Sequence, residues 1–178
     1  MAHALRSASL VLISLAIFAG GLAPACGYRL VGRGAGGPRS LWIAPVPDES
    51  TEPLFGPVLG TELNRQAVDR GGLILARRGA ADAHLAVTLN RLAEAGAAYV
   101  AGDLVREYVL TGEVTATLTT PSGEVVWEGS GIVSDREFPA GADVNETRVN
   151  KDRALALLAR DLAREVLRRA SLALETAP

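Results

Sequence analysis

Residues 107–119 read Glu107-Tyr108-Val109-Leu110-Thr111-Gly112-Glu113-Val114-Thr115-Ala116-Thr117-Leu118-Thr119. Successive side chains of a strand point to opposite faces. Tyr108, Leu110, Val114, Ala116 and Leu118 therefore share one face, and Glu107, Thr111, Glu113, Thr115, Thr117 and Thr119 share the other. One face is apolar and the other is wet. A sheet built on such a strand needs a cover on one side only, and the cover must bring an apolar stripe of its own.

The neighbouring segments supply the rest of that sheet. Pro121-Ser122-Gly123 is a turn, and the strand after it runs to about Arg136 with Val125, Trp127 and Val133 expected inward. The two strands make an antiparallel hairpin. Upstream, Ala83, Leu85, Val87 and Leu89 alternate with His84, Thr88 and Asn90, which is a half-buried strand. The small, Ala/Gly-rich stretch Ala93–Gly102 predicts a hairpin tip. Leu73–Ala76 is a short apolar run, and Leu41–Val46 predicts an early strand. Pro45 has no N–H to give a ladder, which places that strand at an edge or at its end near the proline.

Two helices supply the cover. Gly56-Pro57 opens the first, with Pro in the first-turn position it tolerates. Val58, Leu59, Leu63, Ala67 and Val68 recur at helical spacing, and Gly71-Gly72 closes it. Asn145 is placed to cap the second helix. There Leu155, Leu158, Leu162 and Val166, with Ala159, Ala163 and Ala170, form one stripe. The expected fold is α+β: a two-layer sandwich with both helices on one face of a mixed, largely antiparallel sheet of about four strands. Trp127, Leu110, Leu118, Leu158 and Leu162 are expected to meet between the layers.

The opening of the chain has a different composition. Arg6 is followed by an uncharged, mostly apolar run from Ala8 to Leu22, then Ala23-Pro24-Ala25 and Cys26, the only cysteine. The run is short for a membrane span, which needs ~20 apolar residues, and suits a signal-peptide core. Small residues before a lone Cys resemble a bacterial lipobox, although Ala23 stands where Leu is usual. Ordinary cleavage near Ala25 and an uncleaved anchor are the alternatives. Residues 1–25 are thus expected to be a signal peptide, and Cys26 the lipidated mature N-terminus. Residues 26–40, Gly-rich from Gly32, are expected to be a flexible tether, and residues 41–178 a single domain.

All 20 acidic residues and 17 of the 18 basic ones follow Cys26, a net charge of about −3. A general nucleic-acid binder would be basic, so no nucleic-acid partner is expected. A single cysteine allows no internal disulfide.

The search for chemistry finds little. His84 has no companion ligands at metal-binding spacing. Ser122, Ser130 and Ser134 lack a nucleophile elbow or an identifiable base. The glycines between Gly32 and Gly37 have no strand before them and no helix after, which removes a phosphate-loop reading. Asp48, Glu49 and Glu52 lack calcium-loop spacing. Arg160, Arg164, Arg168 and Arg169 form a charge stripe near a helix C-terminus, where the dipole favours cations. No catalytic residue, metal or cofactor is expected.

Several segments taken together carry a family resemblance. They are Cys26-Gly27-Tyr28-Arg29-Leu30 after the leader, Ile43-Ala44-Pro45-Val46, Tyr108-Val109-Leu110, and Asn145 to Leu172 after Asp135-Arg136-Glu137-Phe138. In this order they resemble the LptE family of lipopolysaccharide-assembly lipoproteins, through essentially the whole mature sequence. The resemblance implies an outer-membrane lipoprotein, lipid-anchored on the periplasmic side. Such a protein sits inside and stabilises an LptD-like β-barrel and assists delivery of lipopolysaccharide to the outer leaflet. It implies no enzyme activity and no cofactor beyond covalent lipid on Cys26. Arg91 and Arg106, which flank the expected tip, are the candidate lipopolysaccharide-binding residues from position, and an in-register hairpin would bring their guanidiniums together. The competing readings are a lipoprotein adaptor of another envelope secretion or assembly machine, and a periplasmic hydrolase.

Overall fold

A computed structural model describes residues 39–47, 55–69, 73–100 and 104–176. The signal peptide, Cys26, the tether up to residue 38, the acidic residues Asp48, Glu49 and Glu52, and Gly71-Gly72 lie outside the described residues.

The elements run β1 (Arg39–Ile43), α1 (Phe55–Asp69), β2 (Leu73–Leu75), a 3-10 turn (Arg78–Ala80), β3 (Ala83–Val100), β4 (Leu104–Thr119), β5 (Val125–Pro139) and α2 (Val144–Thr176). The sheet is mixed, in the order β2-β1-β3-β4-β5. β1 runs parallel to both its neighbours, and β3, β4 and β5 are antiparallel. The fold is the expected α+β arrangement of two helices on a sheet, with five strands because the three-residue β2 also pairs. The first strand starts at Arg39, inside the expected tether, and ends at Ile43, so Pro45 follows the strand and the ladder needs no N–H from it. Ser40 ties β1 to the start of β3: its hydroxyl donates to Asp82 at 2.6 Å, and its N–H donates to the same carboxylate at 2.9 Å.

The apolar face of β4 is the core. Leu110, Val114, Ala116 and Leu118 are buried with Leu85, Val87 and Leu89 of β3, beneath Leu158, Leu162 and Val166 of α2 and Leu59 and Leu63 of α1. Trp127 packs at the edge of this layer. Gly112 lets α2 approach: a Cβ there would lie 2.9 Å from Leu162 and 3.3 Å from Leu158. Gln66, the one buried polar residue of α1, donates its amide to the Arg160 carbonyl of α2 at 3.0 Å. That bond satisfies the amide and fixes the register of the two helices.

Three sequence expectations shift, each for a local physical reason. On α1 the buried stripe is Phe55, Leu59, Leu63, Gln66 and Ala67, while Val58 and Val68 are exposed. These valines sit one residue beside Leu59 and Ala67, about 100° around the helix. In β5, Trp127 faces inward, but Val125 and Val133 are exposed and Ile132 is buried. A bulge opposite Thr115 inserts one extra residue, with Gly131 at φ +62°, and flips the parity for Ile132 and Val133, while a second shift, between Leu118 and Thr119, makes Val126 the extra residue and turns Val125 outward. The cap of α2 is Asp143 rather than Asn145. The Asp143 carboxylate accepts the Glu146 N–H at 2.8 Å, and Glu146 accepts the Ala142 N–H at 2.7 Å, a reciprocal arrangement close to a capping box.

Candidate functional site

The expected hairpin tip is an arm. β3 and β4 stay paired from His84↔Thr119 to Val100↔Leu104, so most of Ala93–Gly102 is strand, and residues 101–103 lie outside the described residues. A bulge at Asn90 switches which parity of β3 faces the helices, bringing Leu92, Glu94 and Gly96 to the inner side opposite Gly112, Leu110 and Tyr108. β5 ends at Pro139, opposite Glu107. Beyond it, β3 and β4 continue as a two-stranded ribbon, with no third strand among the described residues.

Such a ribbon is marginal in water by itself, and its side chains are unusual for one that meets only water. Tyr99 is 60% exposed and Leu104 66%. The Tyr99 hydroxyl lies 2.5 Å from where a Gly96 Cβ would stand, so the ring lies across the glycine and stiffens the ribbon.

An aromatic pair marks the base of the arm. Tyr108 and Phe138 stack across β4 and β5 with centroids 5.1 Å apart and planes 15° from parallel. They line a groove of about 510 Å³ that is closed on the helix side by Val144, Arg148 and Lys151. Lys151 pairs with Glu94 at 2.8 Å, which ties α2 to the arm. The groove thus has an apolar aromatic floor and a lining that carries two cations, Arg148 and Lys151, and two carboxylates, Glu94 and Asp143. Both Tyr108 and Phe138 stand in the motifs of the sequence, but only the β4–β5 register brings them together.

Arg91 and Arg106 are not brought together. Arg91 lies opposite Glu113 on the outer face of the sheet, and Arg106 is the extra residue of a bulge between the pairs Ala98↔Glu107 and Tyr99↔Val105. Seven residues along β4 separate the two levels, roughly 20 Å at the rise of a strand. Pairing runs out to Val100↔Leu104, so the hairpin is centred much nearer to Arg106 than to Arg91, and the symmetric register on which the expected pair depended does not form. Both residues are exposed.

The other sequence candidates are held in structural contacts. Nε2 of His84 lies 2.9 Å from the Arg78 carbonyl, and its ring meets Trp42 edge-on at 5.3 Å. Arg78 stacks over the same indole at 5.1 Å. Among the described residues no three His, Cys, Asp or Glu side chains form a potential metal group, and no helix is long and apolar enough to cross a membrane.

The architecture defines a class: an α+β sandwich with two helices on one face of a mixed sheet whose central hairpin projects as an arm. The class is that of several solved bacterial lipoproteins. Lipoprotein B from Nitrosomonas europaea superposes with a TM-score of 0.59 at 18% identity, over 84% of this chain and 94% of that one. Rare lipoprotein B from Shewanella oneidensis gives 0.54 at 16% identity, over 74% and 93%. The minor lipoprotein of Acinetobacter baumannii gives 0.51 at 16%, over 74% and 90%. No curated protein sequence matches the chain. The LptE model, described as lipopolysaccharide-assembly, matches residues 39–170, and the chain belongs to the LptE family.

Proposed function

We propose that this protein is an outer-membrane lipoprotein subunit of the lipopolysaccharide translocon, which stabilises and plugs an LptD-like barrel and assists lipopolysaccharide delivery to the outer leaflet. The observation that carries the reading is the family match over residues 39–170, which runs from the first strand to the last turns of α2 and includes the arm. In this reading Cys26 bears the lipid that holds the chain on the periplasmic side of the outer membrane. Stable anchoring needs more than one acyl chain, which a diacylglyceryl thioether supplies.

The arm gives the role a physical basis. The ribbon ends in exposed Tyr99 and Leu104, and a barrel lumen would remove those side chains from water while the sandwich stays outside the narrowest part. The groove at its base offers an aromatic, apolar floor suited to an acyl chain, with Arg148 and Lys151 balanced by Glu94 and Asp143 around it. Arg91, within the three-stranded sheet, and Arg106, on the arm, enter as two separate charges rather than as one clamp. Nothing in this role requires a nucleophile, a metal or a cofactor.

The test is a double substitution, Tyr99→Asp with Leu104→Asp. Both side chains are exposed, so the melting temperature of the isolated protein is expected to stay within a few degrees of the parent, while recovery of the barrel partner from solubilised membranes falls at least tenfold. Unchanged recovery would remove the arm from the interface. In parallel, Arg91→Glu and Arg106→Glu are each expected to weaken lipopolysaccharide binding in part, more at low salt than at high, because exposed charges are screened.

A further inference from the structure

The inner stripe of α2 changes character along its length. Thr147, Lys151, Ala154, Leu158 and Leu162 recur at three- and four-residue spacing, which at 100° per residue confines them to an arc of about 80°. From Ala154 onward this stripe is apolar and buried. In the first three turns, Val144–Arg153, no residue is buried, and the same line carries Thr147 and Lys151. The two other valines of the helix's opening do not pack either, since Val144 is 85% exposed and Val149 47%.

Beneath these turns lies apolar surface. The stacked Tyr108 and Phe138 form the floor of the groove of about 510 Å³, and Val144, Thr147, Arg148 and Lys151 stand across it. An apolar floor therefore faces a polar underside, with a gap between them. Local conflicts of this kind are retained where an element has work other than stability.

Polar contacts hold the segment in place. Thr147 Oγ accepts the Gly141 N–H at 2.9 Å, the Asn150 amide donates to the Pro139 carbonyl at 3.1 Å, and Lys151 pairs with Glu94 at 2.8 Å. Each such bond replaces bonds to water and contributes little net stability, and a partly exposed ion pair is further weakened by salt. A helix shorter than about 12 residues is also marginal in water by itself.

We propose that Val144–Arg153 is a lid, which unwinds as one unit to uncover the Tyr108–Phe138 floor while α2 from Ala154 onward stays docked. The core loses no buried side chain of α2 when the lid opens, because burial on this helix starts at Ala154. Segments with few buried apolar contacts are those from which local opening is drawn, and ordering and disordering of a short segment is a common form of switch. Each opening exposes the groove on its helix side. The inference concerns the helix and its floor alone, and it stands whatever enters the groove.

Amide hydrogen exchange of the full chain, followed residue by residue by NMR, tests it. The amides of residues 148–153 are expected to share one protection level, at least about 100-fold below that of residues 158–167, because they open together. Asn150→Ala with Lys151→Gln is expected to lower protection of 148–153 by about a further tenfold and to leave 158–167 within about twofold. Lys151→Glu alone is expected to act in the same direction, and adding Glu94→Lys, which restores the pair with its charges exchanged, to return the parent level. A variant that fails to fold loses protection in 158–167, and the parent's profile then decides by itself. Protection that is equal in the two parts of the helix would overturn the inference. So would a gradient rising residue by residue from the helix start, which is ordinary end fraying, or a loss in the double variant shared equally by both parts.

Discussion

At the scale of single residues, Glu165 gives the fold a pH signature. Hydrogen bonds from Arg168, then from Arg169, hold its carboxyl at about 2 against the usual 4.5. The unfolded chain binds a proton there between pH 4.5 and 2 while the folded one does not. The resulting stabilisation is fully present above about 4.5 and is lost as pH falls through about 2. The group is partly exposed and screened, so the contribution is expected to be under about 1 kcal/mol. Glu165→Gln should flatten the stability profile within that window and leave the slope above pH 5 unchanged, as denaturant titrations would show. Leu158 and Leu162, earlier on the same helix, are completely buried. Replacing either by Ala should cost about 2–5 kcal/mol, and a loss below about 0.5 kcal/mol would mean that α2 packs elsewhere. The sequence made these leucines legible because helical periodicity is local. It could not place Ile132 in the core, because the bulge at Gly131 that flips the strand depends on pairing with β4.

At the scale of elements, α2 and the arm show where local signals suffice and where they fail. The helix was legible from its stripe. Its cap was not, because Asp143 and Asn145 are both good capping types and only the Asp143–Glu146–Ala142 bonds decide between them. Asp143→Ala should therefore cost about 1 kcal/mol, and Asn145→Ala much less, by thermal unfolding. The arm is the reverse case. Ala93–Gly102 is small and unpatterned, and it suggested a loop. The ladder with β4 overrides that weak local preference, since strand formation depends more on cross-strand neighbours than on intrinsic propensity. The three bulges of this hairpin leave no strict period to read, and the continuation of the ladder to Val100↔Leu104 keeps Arg91 away from Arg106.

At the scale of the whole molecule, the class of fold was readable because the strand, helix, hairpins and helix follow one another in an order that has few compact solutions, and the family was readable from the resemblance carried by its sequence motifs. The composition of the arm drew attention to the place most in need of a partner, whereas the groove at its base required the three-dimensional register. The anchor belongs to this scale as well. Cys26→Ala should release the protein from membranes without lowering its melting temperature, and mass spectrometry of the parent should find acyl mass on Cys26. The central claim is that the protein works as the lipid-anchored partner of a β-barrel, and isolation of the affinity-tagged chain from outer membranes in mild detergent tests it most directly. The account predicts a large outer-membrane β-barrel of the LptD type recovered in near-equimolar amount with bound lipopolysaccharide. Recovery of the chain alone, or with the components of a different envelope machine, would contradict it.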